Sequence, residues 1–408
     1  MIRILRLSLL LFALLPNAQA QTSLVKLLSP SIETSETNAI QQVESLNPFF
    51  DALTELKARQ QGVVNILHIG DSHLQADFLT NTVRKQFQYE FGNAGRGLIV
   101  PLRVARTNEP HTYQTSSEAI WQARRCIFPD AELPIGIGGV TIRNAYPGKR
   151  MNVQIRSDSA LGYQFDRLKV FCLRDTSSYD FNILDASGAV MASVQTSGGA
   201  EGQSPILVDL NELNDEFSLE SVQTRPGQNH TTLFGFSLEN GQPGVLYHSV
   251  GVNGAQFSHY RDARYFAEQT KGLEPQLIVV SLGTNEAHSA ALTMTEFYTN
   301  IDALVQNLQK ANPQATILLT TPADSYKRRT QANPKMAEVR QTILNYASEH
   351  HLPSWDLYGI TGPAAFWRKN HLITSDGVHY TRKGYELQGN LLYQALMQAF
   401  NDYATHRL

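Results

Sequence analysis

The segment that decides the fold is VVNILHIGDSH at residues 63–73. Residues 63–69 form a short apolar run, which is typical of a parallel strand buried on both faces. The run closes at Gly70, and residues 75–91 carry a helical pattern. Ser72 is therefore predicted to lie between the carboxyl end of a buried strand and a helix, where ligands bind in open parallel sheets. The alternative interpretation is that Ser72 only caps the helix.

Apolar runs of the same kind recur in the second half of the chain. They predict strands at residues 245–250, 277–282, 316–319 and, more weakly, 354–357. Amphipathic helical patterns lie at residues 41–60, 257–271, 296–310, 335–350 and 381–400. Alternating strands and helices predict an α/β fold in which helices cover both faces of a parallel sheet.

The intervening segment, residues 103–243, has a different pattern. Short alternating stretches, such as residues 140–144 and 151–156, are separated by turns rich in Gly, Ser and Asn. Many short strands of this kind predict a β-sandwich. We therefore predict an α/β domain at residues 41–102 and 244–408, with a β-sandwich domain inserted at residues 103–243.

The first residues of the chain have the pattern of an export signal. Two arginines precede an apolar stretch at residues 7–16, and an Ala-x-Ala sequence ends at Ala20. This pattern predicts a secretory signal peptide at residues 1–20, followed by a flexible lead-in at residues 21–40. A membrane anchor is the alternative, but the apolar stretch is short for a bilayer. We expect a periplasmic or extracellular protein with no membrane span in the mature chain.

Composition and charge narrow the class of function. The chain has 408 residues, of which 42% are hydrophobic, and a net charge of −3, which is an ordinary globular balance. Because the protein is mildly acidic, we expect no nucleic-acid partner, and we interpret the basic run Lys327-Arg328-Arg329 as a solvated loop. Cys126 and Cys172 are expected either to form a disulfide after export or to remain two buried thiols. The sequence does not indicate an oligomeric state.

A serine nucleophile needs a general base, and the base needs an acid that orients it. Near the carboxyl terminus, Asp376 precedes His379 by three residues in a glycine-containing loop. Its carboxylate can turn back to one imidazole nitrogen and leave the other facing Ser72. The alternative is a surface loop with an incidental Asp-x-x-His. His73 competes for the role of base, but it lacks a nearby orienting carboxylate.

Acyl transfer also requires hydrogen-bond donors for the oxyanion. Residues 251–255 and 283–286 each follow a predicted strand. Gly254 can present its backbone N–H, and Asn285 can present its side-chain amide. The backbone N–H of Ser72 would be a third donor. The alternative for the glycines is ordinary turn formation.

Taken in order, these residues resemble the four signature blocks of GDSL/SGNH hydrolases. The blocks are Gly70-Asp71-Ser72, Gly254, Gly283-x-Asn285 and Asp376-x-x-His379. The resemblance covers residues 60–95 and 245–400, and it implies a flavodoxin-like three-layer α/β/α sandwich. The third block departs from the usual Gly-x-Asn-Asp, because Glu286 follows Asn285.

The resemblance also implies a role for each matching residue. Ser72 would be the nucleophile, His379 the general base and Asp376 the acid that orients it. The oxyanion donors would be the N–H groups of Ser72 and Gly254 and the side chain of Asn285. No metal or organic cofactor is implied.

A narrower resemblance is to bacterial peptidoglycan O-acetylesterases. It rests on GDSH at residues 70–73 with Asp77 and Thr80, on FGNAGRG at residues 91–97 and on GVNGA at residues 251–255. In that group the inserted domain is similar to a carbohydrate-binding module, and the substrate is O-acetylated muramic acid. The implied function is a secreted serine esterase whose partner is an O-acetylated polysaccharide, with peptidoglycan as the leading candidate.

Three other functions fit the same residues. The protein could hydrolyse another acyl ester, such as acetylxylan or a lipid. It could be an acetyltransferase that passes the acyl group to a sugar hydroxyl. It could also be a catalytically inactive wall-binding protein, although retention of Ser72, Asn285, Asp376 and His379 argues against that.

Several other residues have a structural interpretation. We interpret His68 as a hydrogen-bonded core residue and Asp71 as structural. Tyr113, Trp121 and Trp367 could stack on sugar rings, but we interpret them as core residues. Arg96 could bind a substrate carboxylate, but we expect it to be exposed and solvated.

Overall fold

Residues 36–128, 132–156, 161–196 and 205–407 are described by a computed structural model of the protein. The predicted signal peptide at residues 1–20 lies outside these ranges. Most of the predicted lead-in at residues 21–40 lies outside them too.

Six strands form a sheet that is parallel except at one edge. In spatial order they are β1 (Ile40–Gln41), β19 (Ser354–Trp355), β16 (Thr316–Thr320), β15 (Leu277–Ser281), β2 (Val63–Gly70) and β14 (Gly244–Gly251). β1 pairs antiparallel with β19, and the other neighbours are parallel. In chain order the parallel strands are arranged 2-1-3-4-5, which is the flavodoxin-like order. The predicted fold class and the predicted strands of this sheet are confirmed.

Two groups of helices cover this sheet. They are α1 (Asn47–Arg59), α2 (Ser72–Gln75), α3 (Phe78–Phe91), α4 (Phe257–Arg261), α5 (Phe266–Gln269), α6 (Thr284–His288), α7 (Met294–Ala311), α8 (Lys335–Glu349), α9 (Leu357–Thr361), α10 (Ala364–Lys369) and α11 (Arg382–Arg407). α1, α3 and α11 pack together, and α4, α7 and α8 form the second group. The long parallel strands are buried along almost their whole length, so both faces of the sheet are covered. None of the described helices is long and apolar enough to cross a membrane.

Two predicted helices are interrupted. The helix expected at residues 75–91 is observed as α2 and α3, because the backbone of Asp77 has a left-handed φ of 62°. The helix expected at residues 257–271 is broken between α4 and α5 and ends in a 3-10 turn at Thr270–Leu273. A second 3-10 turn, Val43–Leu46, precedes α1.

The segment between α3 and β14 forms two antiparallel sheets. The first contains β10 (Val190–Val194), β9 (Asp180–Leu184), β12 (Glu216–Val222), β7 (Arg150–Ile155) and β4 (Tyr113–Ser116). The second contains β11 (Ile206–Asn214), β8 (Phe165–Cys172), β13 (Thr231–Glu239), β6 (Val140–Asn144), β5 (Gln122–Arg125) and β3 (Gly95–Ile99), which pairs with β13. Phe217 of the first sheet packs against Phe165 and Phe236 of the second, with ring centroids 5.7 and 5.4 Å apart. The two sheets therefore share an apolar layer, as in a sandwich.

The point at which the chain leaves the parallel sheet region, after α3, contacts the point at which it returns, at the start of β14. The N–H of Val245 donates to the carbonyl of Gly92 at 2.9 Å, and a Cβ on Gly244 would clash with the same carbonyl group. Such adjacent entry and exit points are what an inserted domain requires. β3 joins the antiparallel sheet although it precedes residue 103, and the division into domains at residues 103–243 stays a prediction.

Cys126 and Cys172 are free, buried thiols. The disulfide that we considered is therefore wrong, and the alternative of two buried thiols is correct. Burial raises the pKa of each thiol to about 12. Neither is a reactive thiolate at neutral pH.

A buried ion cluster joins the two parts of the fold. Asp77 accepts from Arg84 on α3 at 2.8 Å and from Arg96 on β3 at 2.7 Å, and Arg84 also donates to the Tyr247 carbonyl on β14 at 3.0 Å. Arg96 is 1% exposed, so the expectation of a solvated Arg96 is wrong, because its counter-charge lies inside the protein. Burial alone would raise the pKa of Asp77, but the two guanidiniums hold it well below its usual range.

We predict that Asp77→Asn lowers the free energy of unfolding by about 3–5 kcal/mol, because it leaves two buried guanidiniums without a carboxylate. The depressed pKa of Asp77 means that its contribution is present at neutral pH and is lost as the pH falls through the acid range. Urea unfolding at pH 7 and at lower pH measures both effects.

The matched control is Glu90→Gln, which removes the carboxylate of the exposed Lys57–Glu90 pair. An exposed pair contributes less than about 1 kcal/mol. Similar small losses for both variants would contradict the prediction that the Asp77 cluster is important for stability.

Candidate active site

The turn after β2 places Ser72 at the carboxyl edge of the parallel sheet. A Cβ on Gly70 would lie 2.6 Å from the Leu74 side chain and 2.9 Å from the Ser281 carbonyl oxygen, so the turn has no room for a larger residue. The N-cap of α2 is Asp71, whose side chain accepts from the N–H of His73 at 2.9 Å. The interpretation of Ser72 as the helix cap is therefore wrong, and its hydroxyl is available for another partner.

That partner is His379. Its Nε2 lies 2.9 Å from the Ser72 hydroxyl, and its Nδ1 lies 2.8 Å from Asp376 Oδ2. The loop from α10 to α11 thus delivers the imidazole between the serine and the carboxylate. This is the geometry that nucleophilic catalysis by serine requires.

Asp376 is held in its ionised form. Its Oδ1 accepts from the N–H groups of Val378 at 2.8 Å and His379 at 3.0 Å. Partial burial would raise the pKa of Asp376, but these hydrogen bonds and the contact with His379 outweigh burial and hold the pKa well below its usual range. The carboxylate is therefore charged when it orients the imidazole.

Gly254 and Asn285 lie on the next two loops at the same sheet edge. Gly254 follows β14 with a φ of 84°, in a turn closed by the N–H of Ala255 and the Val252 carbonyl at 2.9 Å. The Asn285 amide group donates to the Ala255 carbonyl at 2.9 Å and to Asp71 Oδ2 at 3.1 Å. Asn285 is thus held between the serine turn and the Gly254 turn.

Gln75 is a site residue that the sequence reasoning missed. Its Oε1 accepts from the N–H of Asn253 at 2.6 Å, and its Nε2 donates to Thr107 Oγ1 at 2.9 Å and to the Asn108 carbonyl at 2.7 Å. The three side-chain hydrogen bonds of Gln75 connect α2 to other loops, and one of these bonds lies next to Gly254. The sequence feature that could have identified Gln75 is its position three residues after Ser72, within the first turn of the helix.

Two buried carboxyls lie behind the Asn285 side chain. Burial raises the pKa of Asp71 to about 7, despite the hydrogen bonds from His73 and Asn285. Burial also raises the pKa of Glu286 to about 8. Glu286 accepts from the N–H of Phe257 at 2.8 Å, so the departure from Gly-x-Asn-Asp supplies a link from α6 to the start of α4.

The remaining histidines near the serine have other partners. His73 Nδ1 lies 3.0 Å from the Tyr385 hydroxyl, and burial lowers the pKa of His73 to about 3. His68 is fully buried and contacts the Tyr247 hydroxyl at 2.7 Å and the Ser281 hydroxyl at 2.6 Å. The interpretation of His68 as a hydrogen-bonded core residue is confirmed.

Tyr113, Trp121 and Trp367 are also buried. Their interpretation as core residues is confirmed, and they do not offer exposed rings for sugar stacking. In the described part of the chain, no group of three or more His, Cys, Asp or Glu side chains is arranged to hold a metal ion.

The raised pKa of Glu286 predicts a pH effect on stability. From about pH 4.5, the ordinary value for a glutamate, to about pH 8 the unfolded chain releases the proton that the folded protein retains, so stability falls as the pH rises through this window. Glu286→Gln keeps an oxygen for the Phe257 N–H and cannot ionise. Between pH 5 and pH 8, we expect the free energy of unfolding of the variant to rise by about 1–3 kcal/mol relative to that of the wild type.

Denaturant unfolding at both pH values measures this gain, with the exposed Glu338→Gln variant as the reference for loss of one charge. Parallel pH profiles for the wild type and Glu286→Gln would show that Glu286 is ionised in the folded protein.

Comparison with known proteins gives one family match and several structural ones. Residues 221–387 match the model of the GDSL-like Lipase/Acylhydrolase family. The match contains Gly254, Asn285, Asp376 and His379, whereas Ser72 precedes it. Curated protein sequences give no match.

A solved structure described as a peptidoglycan O-acetylesterase in action is similar to this chain with a TM-score of 0.73 and 21% identity, covering 87% of this chain and 96% of that one. At this identity the likeness shows a common fold. An acetyl xylan esterase, AlAXEase, is 19% identical over 37% of this chain and 81% of its own, with a TM-score of 0.31. A family two carbohydrate esterase from Cellvibrio japonicus is 12% identical over 71% of this chain and 98% of its own, with a TM-score of 0.30.

The family match covers two of the three loops that meet at the sheet edge and the loop that carries His379. The fold places Ser72 within hydrogen-bonding distance of that histidine. Residues 221–387 of this chain are thus similar to the GDSL-like lipase/acylhydrolase family, and the chain as a whole shares its fold with a solved structure described as a peptidoglycan O-acetylesterase.

Proposed function

We propose that this protein is an exported serine esterase that removes O-acetyl groups from carbohydrate, with O-acetylated muramic acid in peptidoglycan as the substrate. The observation that carries the proposal is the continuous hydrogen-bonded line from Ser72 through His379 to Asp376. We assign these residues as nucleophile, general base and orienting acid.

In the acylation step, His379 Nε2 takes the proton of the Ser72 hydroxyl as Oγ attacks the acetyl carbonyl carbon. The resulting tetrahedral intermediate carries a negative oxygen. His379 then gives the proton to the sugar oxygen, the C–O bond breaks, and the acetyl group stays on Ser72. Water that loses a proton to His379 attacks the acyl-enzyme, and acetate leaves as Ser72 regains its proton.

We assign the N–H groups of Ser72 and Gly254 and the amide of Asn285 as donors to the negative oxygen. The Asn285 amide donates one N–H to Asp71 and the other to the Ala255 carbonyl, so one of these hydrogen bonds must break before Asn285 can donate to the oxyanion. The two backbone N–H groups are instead held by the turns that carry Ser72 and Gly254. Preorganised donors of this kind lower the barrier because they are aligned before the reaction begins.

The proposed substrate class has two supports besides the motifs. The structure with the same fold is described as a peptidoglycan O-acetylesterase. In addition, a groove of about 880 Å³ on the outer face of the first antiparallel sheet is lined by polar groups that include Gln114, Asn152 and Ser218. Amides and hydroxyls of this kind suit sugar hydroxyls, so we propose that residues 103–243 are an inserted domain that contacts glycan.

We predict that Ser72→Ala lowers acetate release from O-acetylated peptidoglycan by about a thousandfold or more, because it removes the nucleophile. Acetate release from purified peptidoglycan measures the loss. Circular dichroism of the variant shows that the fold is retained.

Replacement of the two neighbouring histidines tests which one is the base. His379→Gln should lose about a thousandfold in kcat, because no group then takes the serine proton. His73→Gln should lose less than about tenfold, because its ring contacts Tyr385 rather than Ser72. Equal losses in kcat would contradict the assignment of His379.

The substrate is tested separately from the chemistry. Cleavage of nitrophenyl acetate without acetate release from peptidoglycan would support the esterase assignment and contradict the assignment of peptidoglycan as the substrate. Acetylated acceptor in place of free acetate would indicate a transferase. Binding to peptidoglycan without any ester cleavage would favour the wall-binding protein.

A further inference from the structure

A small basic hairpin lies beside the loop that carries His379. It consists of β17 (Tyr326–Lys327), β18 (Gln331–Ala332) and the residues between them. Lys327, Arg328 and Arg329 are all exposed. We call residues 326–332 the basic hairpin.

The basic hairpin packs directly on the catalytic loop. The N–H of Tyr326 donates to the Gly377 carbonyl at 2.7 Å. Gly377 has a φ of 78°, and a Cβ there would lie 2.7 Å from the Arg329 carbonyl oxygen. Since Gly377 is two residues from His379, the basic hairpin borders the proposed reaction site.

Its backbone is held in an uncommon conformation. Arg328 and Arg329 have φ values of 49° and 72°, in a region that residues other than glycine rarely adopt and that costs free energy. The Arg368 side chain donates to the Arg329 carbonyl and lies 3.9 Å from the Tyr326 ring centroid. The surrounding structure therefore maintains an unfavourable turn that keeps two arginines exposed.

The charges of this region are not balanced. Arg368 and Lys369 on α10 are exposed too, so five cations are grouped in the basic hairpin and the neighbouring helix. Within the described ranges, none of the five forms an ion pair with an acidic side chain. The nearby carboxylates have other partners, since Asp324 accepts from the N–H of Ala364 at 2.8 Å and Asp376 binds His379.

His288 lies next to the basic hairpin. Its Nε2 lies 3.1 Å from the hydroxyl of Ser325. Burial lowers the pKa of His288, and the charges of Lys327 and His379 lower it further. Lys327 of the basic hairpin and His379 of the candidate site are thus both close enough to lower the pKa of His288.

We propose that the basic hairpin binds carboxylates of the acylated glycan, so that the substrate class of this enzyme is an anionic acetylated polymer and not a neutral one. This inference rests on the proposed esterase function. Guanidinium groups pair with carboxylates through charge-assisted hydrogen bonds. At a rim of exposed charges, such pairs increase binding of the polymer, and salt weakens them.

The test compares two forms of one substrate. O-acetylated peptidoglycan is used as isolated and after amidation of its carboxyl groups, which removes the negative charge. The triple variant Lys327→Gln, Arg328→Asn, Arg329→Asn removes the positive charge, and asparagine tolerates the left-handed backbone better than most residues. The measured quantity is the ratio of kcat/KM on the native polymer to kcat/KM on the amidated one.

We expect kcat/KM of the wild type to be about tenfold higher on the native polymer than on the amidated one at low salt. This ratio corresponds to the summed free energies of two or three exposed ion pairs. The ratio should fall towards one at high salt and in the triple variant. The control variant Arg59→Gln, Lys271→Gln, Lys310→Gln loses the same charge elsewhere on the surface and should keep the wild-type ratio.

A ratio near one in the wild type, or an unchanged ratio in the triple variant, would overturn the proposal. Loss of rate on both polymers alike would leave the ratio unchanged and count against it as well. Failure of the esterase function is distinguishable, because co-sedimentation of Ser72→Ala protein with the two polymers needs no turnover. Equal binding to both polymers would overturn the proposal even if no ester were cleaved.

Discussion

Asp77 is a buried carboxylate shared by two arginines, and the architecture around the serine depends on this arrangement. Arg84 connects it to α3 and, through the Tyr247 carbonyl, to the edge strand of the parallel sheet. Arg96 connects it to the first strand of the antiparallel region. Asp77 itself follows α2 directly, so the cluster holds the serine turn, the sheet and the antiparallel region in one arrangement. Loss of the Asp77 carboxylate would leave two buried guanidiniums without a counter-charge.

The parallel sheet supplies the second constraint, since the loops after its strands meet at one edge. The turns after β2, β14 and β15 carry Ser72, Gly254 and Asn285, which are far apart in the chain. Asn285 bonds to Asp71 and to the Ala255 carbonyl, and Gln75 bonds to the N–H of Asn253. These cross-links make the three turns one unit, so the geometry of the site depends on hydrogen bonds between loops as well as on strand order.

The electrostatics of the site divide into an interior and a rim. In the interior, burial raises the pKa of Asp71 and Glu286, which limits negative charge behind Asn285. Asp376 is the carboxylate that stays ionised, because it accepts backbone hydrogen bonds. At the rim, the basic hairpin adds positive charge on the side of His379. An oxyanion and an anionic polymer would both meet an environment that accommodates negative charge.

The sequence by itself determined the elements and the chemical groups of the site. Apolar periodicity predicted the parallel strands, because burial on both faces leaves a continuous local pattern, and the spacing of Asp376 and His379 identified a local pair. Only the tertiary structure decided which distant groups meet. The burial of Arg96, the free thiols of Cys126 and Cys172, the bridge through Gln75 and the packing of the basic hairpin on Gly377 all depend on strand order and loop contacts. These contacts join residues tens to hundreds of positions apart, and no local pattern in the chain encodes them.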